Sequence, residues 1–129
     1  MEHAFAIDTA MSYEDAVPKV KEALKAQGFG ILTEIDISAT MKEKLGEEVE
    51  PYVILGACNP SLAYRALEAD RQIGLLLPCT VVVRARGGGI RIEALDPNIM
   101  ATFAGESDLK SVASEASERI RAALDSLAS

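Results

Sequence analysis

Tryptophan is absent from the chain, histidine occurs once, and cysteine only twice. Aromatic residues amount to 5% of the composition, which leaves little material for stacking bases or caging cations. Basic residues are also in deficit: 13 Lys and Arg face 20 Asp and Glu, a formal net charge of −7. Nucleic-acid binding needs cations to neutralise phosphates, so no nucleic-acid partner is expected. Long apolar runs are missing as well. The apolar, uncharged stretch Ile73 to Val83 is broken by Pro78 and is too short to span a bilayer, so no membrane partner is expected. The first residues, Met-Glu-His-Ala-Phe-Ala-Ile-Asp, lack a basic segment leading into an apolar one, and no signal peptide is expected. Two cysteines without an export signal read as reduced thiols in a cytoplasmic protein.

What is present is ordinary globular material. Hydrophobic residues make up 49% of the chain and charged residues 26%, the balance of a chain that folds around a core. Its 129 residues suit a single domain, 1–129, with neither a linker composition nor an internal repeat.

Periodicity places the elements. Phe5 and Ile7 alternate with small or polar neighbours, giving a first strand over Ala4 to Asp8. Ala16, Val17, Val20, Ala23 and Leu24 recur at helical spacing. Pro18 would clash beyond the first turn, so Asp15 rather than Ser12 is the expected N-cap, or else the helix kinks there, and Gly28 is the expected stop. Ile31, Thr33, Ile35 and Ile37 predict a strand with one wet face. A short helix capped by Ser38 then carries Met41 and Leu45 to Gly46. Tyr52 to Cys58 is the third strand; Asn59 and Pro60 are an N-cap and first helical position, opening a helix to about Asp70.

Leu75 to Arg84 predicts the most apolar strand, joined through Gly87-Gly88-Gly89 to a strand from Ile90 to Leu95. A loop holding Asn98, Met100 and Phe103 leads to a last helix from about Ser107 to Leu127, whose stripe includes Leu109, Val112, Ala116, Ile120 and Leu124. The order β-α-β-α-β-α-β-β-α contains an obligatory hairpin, which favours a layered α+β domain over a parallel sheet.

Two segments carry a family likeness: Tyr52-Val53-Ile54-Leu55-Gly56-Ala57-Cys58-Asn59-Pro60 and Gly74-Leu75-Leu76-Leu77-Pro78-Cys79. With them the chain resembles, over nearly its whole length, the domain-of-unknown-function family numbered 302. The resemblance implies a TATA-binding-protein-like α+β fold, a curved, mainly antiparallel sheet backed by helices on one face, often as a dimer. It implies no activity. Thr80 stands where that family often has Asn after the second cysteine.

The chemistry centres on the cysteines. Cys58 directly precedes a helix N-terminus, whose unpaired amides and dipole favour an anion. Cys79 follows Pro78, which removes a ladder donor. On neighbouring strands the two sulfurs would form a dithiol, a redox couple or part of a soft-metal site. Inert packing thiols are the plainer reading, since free cysteine is commonly buried. No Cys-x-x-Cys motif occurs, and a zinc site would need His3 or a second subunit, so no metal ligand is assigned. His3, in the first residues, reads as solvated rather than catalytic.

Gly87 to Gly89 read as a turn rather than a phosphate loop, because a strand follows. Arg84, Arg86 and Arg91 would form a small anion site or, preferably, protect a sheet edge. Glu47, Glu48 and Glu50 read as a solvated face.

Leu75 to Val83 is apolar at both parities, so the domain's own helices, a second copy or a ligand must cover its second face, and a second copy is preferred over a ligand. Two functions follow. The first is a non-catalytic, homodimeric module binding a small molecule through Cys58, Asn59, Pro60, Pro78, Cys79 and Thr80. The second is a thiol-dependent redox enzyme or carrier, with Cys58 and Cys79 as its catalytic candidates. Neither reading identifies a cofactor.

Overall fold

A computed structural model describes residues 3–103 and 107–128. Five strands, β1 (Ala4–Thr9), β2 (Gly30–Asp36), β3 (Tyr52–Cys58), β4 (Cys79–Arg86) and β5 (Gly89–Leu95), form one sheet in the order β1-β5-β4-β3-β2. Every neighbouring pair is antiparallel, as expected of the α+β fold. The central β4 and β5 are joined by a tight turn in which Gly87 and Gly88 adopt φ of 57° and 84°, values that favour glycine.

Alternation along the strands divides the sheet into two faces. Val53, Leu55 and Ala57, Val81 and Val83, and Ile90, Ile92 and Ala94 are all buried on one face. Helices α1 (Tyr13–Ala26), α3 (Pro60–Ala69) and α5 (Ser107–Asp125) pack against it. Their apolar stripes supply Val20 and Leu24, Leu62 and Ala66, and Leu109, Val112, Ile120 and Leu124. Burying each of these larger side chains contributes about 1.5–3 kcal/mol before entropy is counted. Helix α2 (Ile37–Leu45) flanks β3 and contributes no buried residue.

Four local expectations are corrected. Helix α1 begins after Ser12, whose side chain accepts from the Asp15 amide at 3.2 Å, and Pro18 lies inside it. Pro18 and Glu14 are both exposed residues, where water can replace the amide that the Glu14 carbonyl loses, and the cap outweighs the loss. Asp36 rather than Ser38 caps α2, accepting from the Ala39 amide at 2.9 Å. The strand expected from Leu75 starts only at Cys79, because Arg71–Leu76 forms a 3-10 helix capped by Asp70. In place of the loop expected after Pro97, the chain forms a 3-10 turn, Pro97–Ile99, and a short helix α4, Met100–Phe103.

Gly56 is a packing requirement of β3. A Cβ there would overlap Thr33 Oγ1 and lie 2.7 Å from Pro78 Cγ. We therefore expect Gly56→Ala to destabilise the domain by about 1–3 kcal/mol in chemical denaturation. An unchanged midpoint would show that β2 and Pro78 yield freely.

Candidate functional site

At the end of β3 the chain turns directly into α3. The buried Asn59 caps that helix by accepting from the Leu62 amide at 3.2 Å, and Pro60 needs no amide partner at its first position. This fixes Cys58 beside a helix N-terminus. On the neighbouring strand, Ala57 is the register partner of Cys79, so Cys58 stands one residue beyond the position opposite Cys79. Both are free thiols, and both are partly buried.

Cys58, Asn59, Cys79, Phe29, Leu62 and Met100 share the lining of a cavity of about 20 Å³ between sheet and helices. That volume holds one water-sized sphere and no organic ligand. The remaining expected ligand residues point elsewhere. Pro60 is exposed at the head of α3, and Thr80 is exposed on the opposite face of the sheet. Pro78 packs over Gly56 beside Thr33. Burial, and secondarily the charge of Cys58, pushes the Cys79 thiol up to about 11, so it is protonated at neutral pH. Met100 was not legible as a site residue, because only the fold brings it to the cysteines.

A second concavity lies on the sheet face that the helix layer leaves bare. It has a volume of about 430 Å³ and is lined by Tyr52, Thr80, Val82, Arg84, Glu93 and Leu95, among others. Arg84 Nε donates to Glu93 Oε1 at 2.7 Å, and Arg91 Nη1 donates to Asp8 Oδ2 at 2.9 Å. A longer contact of 3.5 Å, Arg91 Nε to Glu93 Oε2, joins these pairs into one row of two cations and two anions. Hydrogen bonding to Arg84 holds the Glu93 carboxyl below the usual carboxylate range.

These arginines do not guard an edge, as had been expected. They lie on inner strands, while β1 and β2 form the edges. The signal for this site was in the sequence as strand parity: Tyr52 and Ile54, Val82 and Arg84, and Arg91, Glu93 and Leu95 share a face.

No three of His, Cys, Asp and Glu cluster to hold a metal among the described residues, and His3 is exposed. Among those residues, no helix is long and apolar enough to cross a membrane.

Comparison with known proteins settles the family. The description "Domain of unknown function DUF302" matches residues 5–127. The chain belongs to the DUF302 family. A solved structure, that of an uncharacterized conserved DUF302 protein from Bacillus stearothermophilus, is similar to this DUF302 chain throughout. It has 28% sequence identity and a TM-score of 0.91, with 98% of this chain and 99% of that one covered. No curated protein matches the chain.

The Cys79 environment sets a pH dependence. The folded thiol ionises at about 11, against an ordinary value of 9.0, so the native state retains its proton longer than the unfolded chain. Its contribution is fully present below pH 9 and is lost as pH rises toward 11. We expect stability to fall by about 2–3 kcal/mol across that interval, and Cys79→Ala to remove the fall. Iodoacetamide should leave Cys79 nearly unlabelled at pH 7; rapid labelling there would contradict this environment.

Proposed function

We propose that this DUF302 domain is a small cytoplasmic homodimer that binds a small molecule on its bare sheet face. The observation that carries the reading is the concavity of about 430 Å³ over Tyr52, Val82, Arg84 and Leu95. Its volume lies in the ordinary range for ligand sites, whereas the cavity between the cysteines fits a single small species. Val82 and Leu95 offer an apolar floor, while Tyr52, Thr80 and the Arg84–Glu93 pair offer polar contacts at its margin. The ligand this chemistry suits has an apolar body and one polar end.

A second copy fits the same face. Ile54, Val82 and Leu95 are half-buried there, and Ile35 remains 48% exposed, so association would shelter apolar surface. The ion row carries equal positive and negative charge, so a twofold-related copy brings as much attraction as repulsion. Two opposed faces would close the concavity that one chain leaves open. Reduced thiols at Cys58 and Cys79 suit a reducing compartment such as the cytoplasm.

One observation favours the thiol-dependent redox reading: both cysteines line one cavity. In that reading Cys58 is the more reactive sulfur and Cys79 its partner, and the raised Cys79 pKa makes Cys79 itself a poor nucleophile.

Light scattering over a dilution series tests the proposal, together with a thermal-shift screen of small amphipathic compounds. The wild type should have the mass of a dimer and should be stabilised by at least one compound. Val82→Glu should be a folded monomer that no longer responds to it. A monomeric wild type at every concentration, or a Val82→Glu dimer that keeps the response, would overturn the reading.

A further inference from the structure

Taking the bare sheet face as a ligand site, we propose that its ligand is a small carboxylic acid with an apolar body, whose carboxylate is received by the free edge of the Arg84 guanidinium. Strand register places the receiving group. Tyr52 is the partner of Arg84, Arg84 of Arg91, and Arg91 of Asp8, so these residues form one rank straight across β3, β4, β5 and β1. Arg84 and Arg91 are like charges directly opposite each other, which repel. Glu93, on the same face, relieves the repulsion. It accepts from Arg84 Nε at 2.7 Å and lies 3.5 Å from Arg91 Nε, which is buried without a hydrogen-bond partner among the described residues. One carboxylate thus serves two guanidiniums and saturates neither.

Glu93 holds Arg84 by Nε alone. Among the described residues the Arg84 side chain makes no other hydrogen bond, so its Nη1 and Nη2 donors are left unpaired by protein. Together they are a planar fork that matches the two oxygens of a carboxylate. The side chain is 25% exposed, so the fork is held in place and partly desolvated before a ligand arrives. Such preorganisation lowers the ordering cost of binding.

Charge selects the class of ligand. Strand parity sends three cations, Arg84, Arg86 and Arg91, to this face against two carboxylates, Asp8 and Glu93. Asp8 is 67% exposed at the sheet edge, where water screens it. The excess matches a single negative charge. A phosphate monoester carries about −1.5 to −2 and would meet Glu93 and Glu50, both of which act electrostatically on Arg84. An amine would meet the two arginines.

The apolar body has a floor beside the fork. The next rank is Ile54, Val82 and Glu93, and Leu95 and Thr80 continue the concavity beyond it. Thr80 and Arg84 lie on the same strand and face, roughly 13 Å apart at the rise of an antiparallel strand. A medium-length alkyl chain spans that distance.

The test is an NMR titration of the isotope-labelled, full-length protein with octanoate, octanol and octylamine, which share a body and differ at the polar end. Octanoate should shift the Val82 methyls and the Arg84 side-chain N–H signals saturably, and bind at least about tenfold more tightly than the other two. Arg84→Gln should weaken octanoate by about tenfold and leave octanol unchanged, with Arg84→Lys between, since it keeps the charge and loses the fork. Octanol or octylamine binding as tightly as octanoate at the same methyls would overturn the carboxylate assignment and leave the ligand site standing. No response on the bare face to any of the three would overturn the assignment and the ligand site together. The comparison of the three compounds on the wild type decides the matter even if an Arg84 variant fails to fold.

Discussion

Helices α1, α3 and α5 cover one face of the sheet and leave the other without a packed layer, and this asymmetry organises the molecule. Its origin is the two-residue period of β3, β4 and β5. Val53, Leu55, Val81, Val83, Ile90 and Ile92 all point to the helix side, and their burial provides the hydrophobic drive for the layer. The residues between them go to the other side and include Tyr52, Ile54, Val82, Arg84, Glu93 and Leu95. A one-residue slip in register would exchange these sets, so the stability of the core and the character of the bare face are specified together.

The two candidate sites sit on opposite sides of that division and differ in physical character. On the helix side, a cavity of atomic dimensions is lined by sulfur and apolar groups and adjoins a helix N-terminus. On the bare side, a broad concavity mixes apolar side chains with a neutralised row of charges. The first has room for one water-sized species. The second suits a larger partner with both apolar and polar surface. Cys79 and Thr80 are adjacent in sequence and serve different sites because consecutive strand residues face opposite ways.

Much of the fold was legible because the local signals were mutually consistent. Strand β3 was bounded by Pro51 and the Asn59-Pro60 cap, and α3 started where that cap placed it. The glycine turn between β4 and β5 likewise followed from residues that favour positive φ. Errors arose where two local signals competed. Pro18 argued against a helix start that the Ser12 cap nevertheless secured. Leu75, Leu76 and Leu77 read as strand by composition, although Asp70 caps a 3-10 helix there and Leu75 is 85% exposed. The run was apolar at both parities because it joins a 3-10 turn to a strand. The approach of Cys58 to Cys79 was conditional on β3 and β4 being neighbours, which the register shows, with Ala57 rather than Cys58 opposite Cys79. Met100 and the Arg84–Glu93–Arg91–Asp8 row needed strand order, which no local pattern contains.

The central functional claim is that the bare face is where two copies meet. Isotope-filtered nuclear Overhauser spectroscopy on a mixture of labelled and unlabelled protein addresses it directly. The account predicts intermolecular contacts from the methyl groups of Ile54, Val82 and Leu95, and none from core residues such as Val20 or Ile120. Intermolecular contacts confined to other surfaces, or none at concentrations where scattering gives a dimer mass, would contradict it.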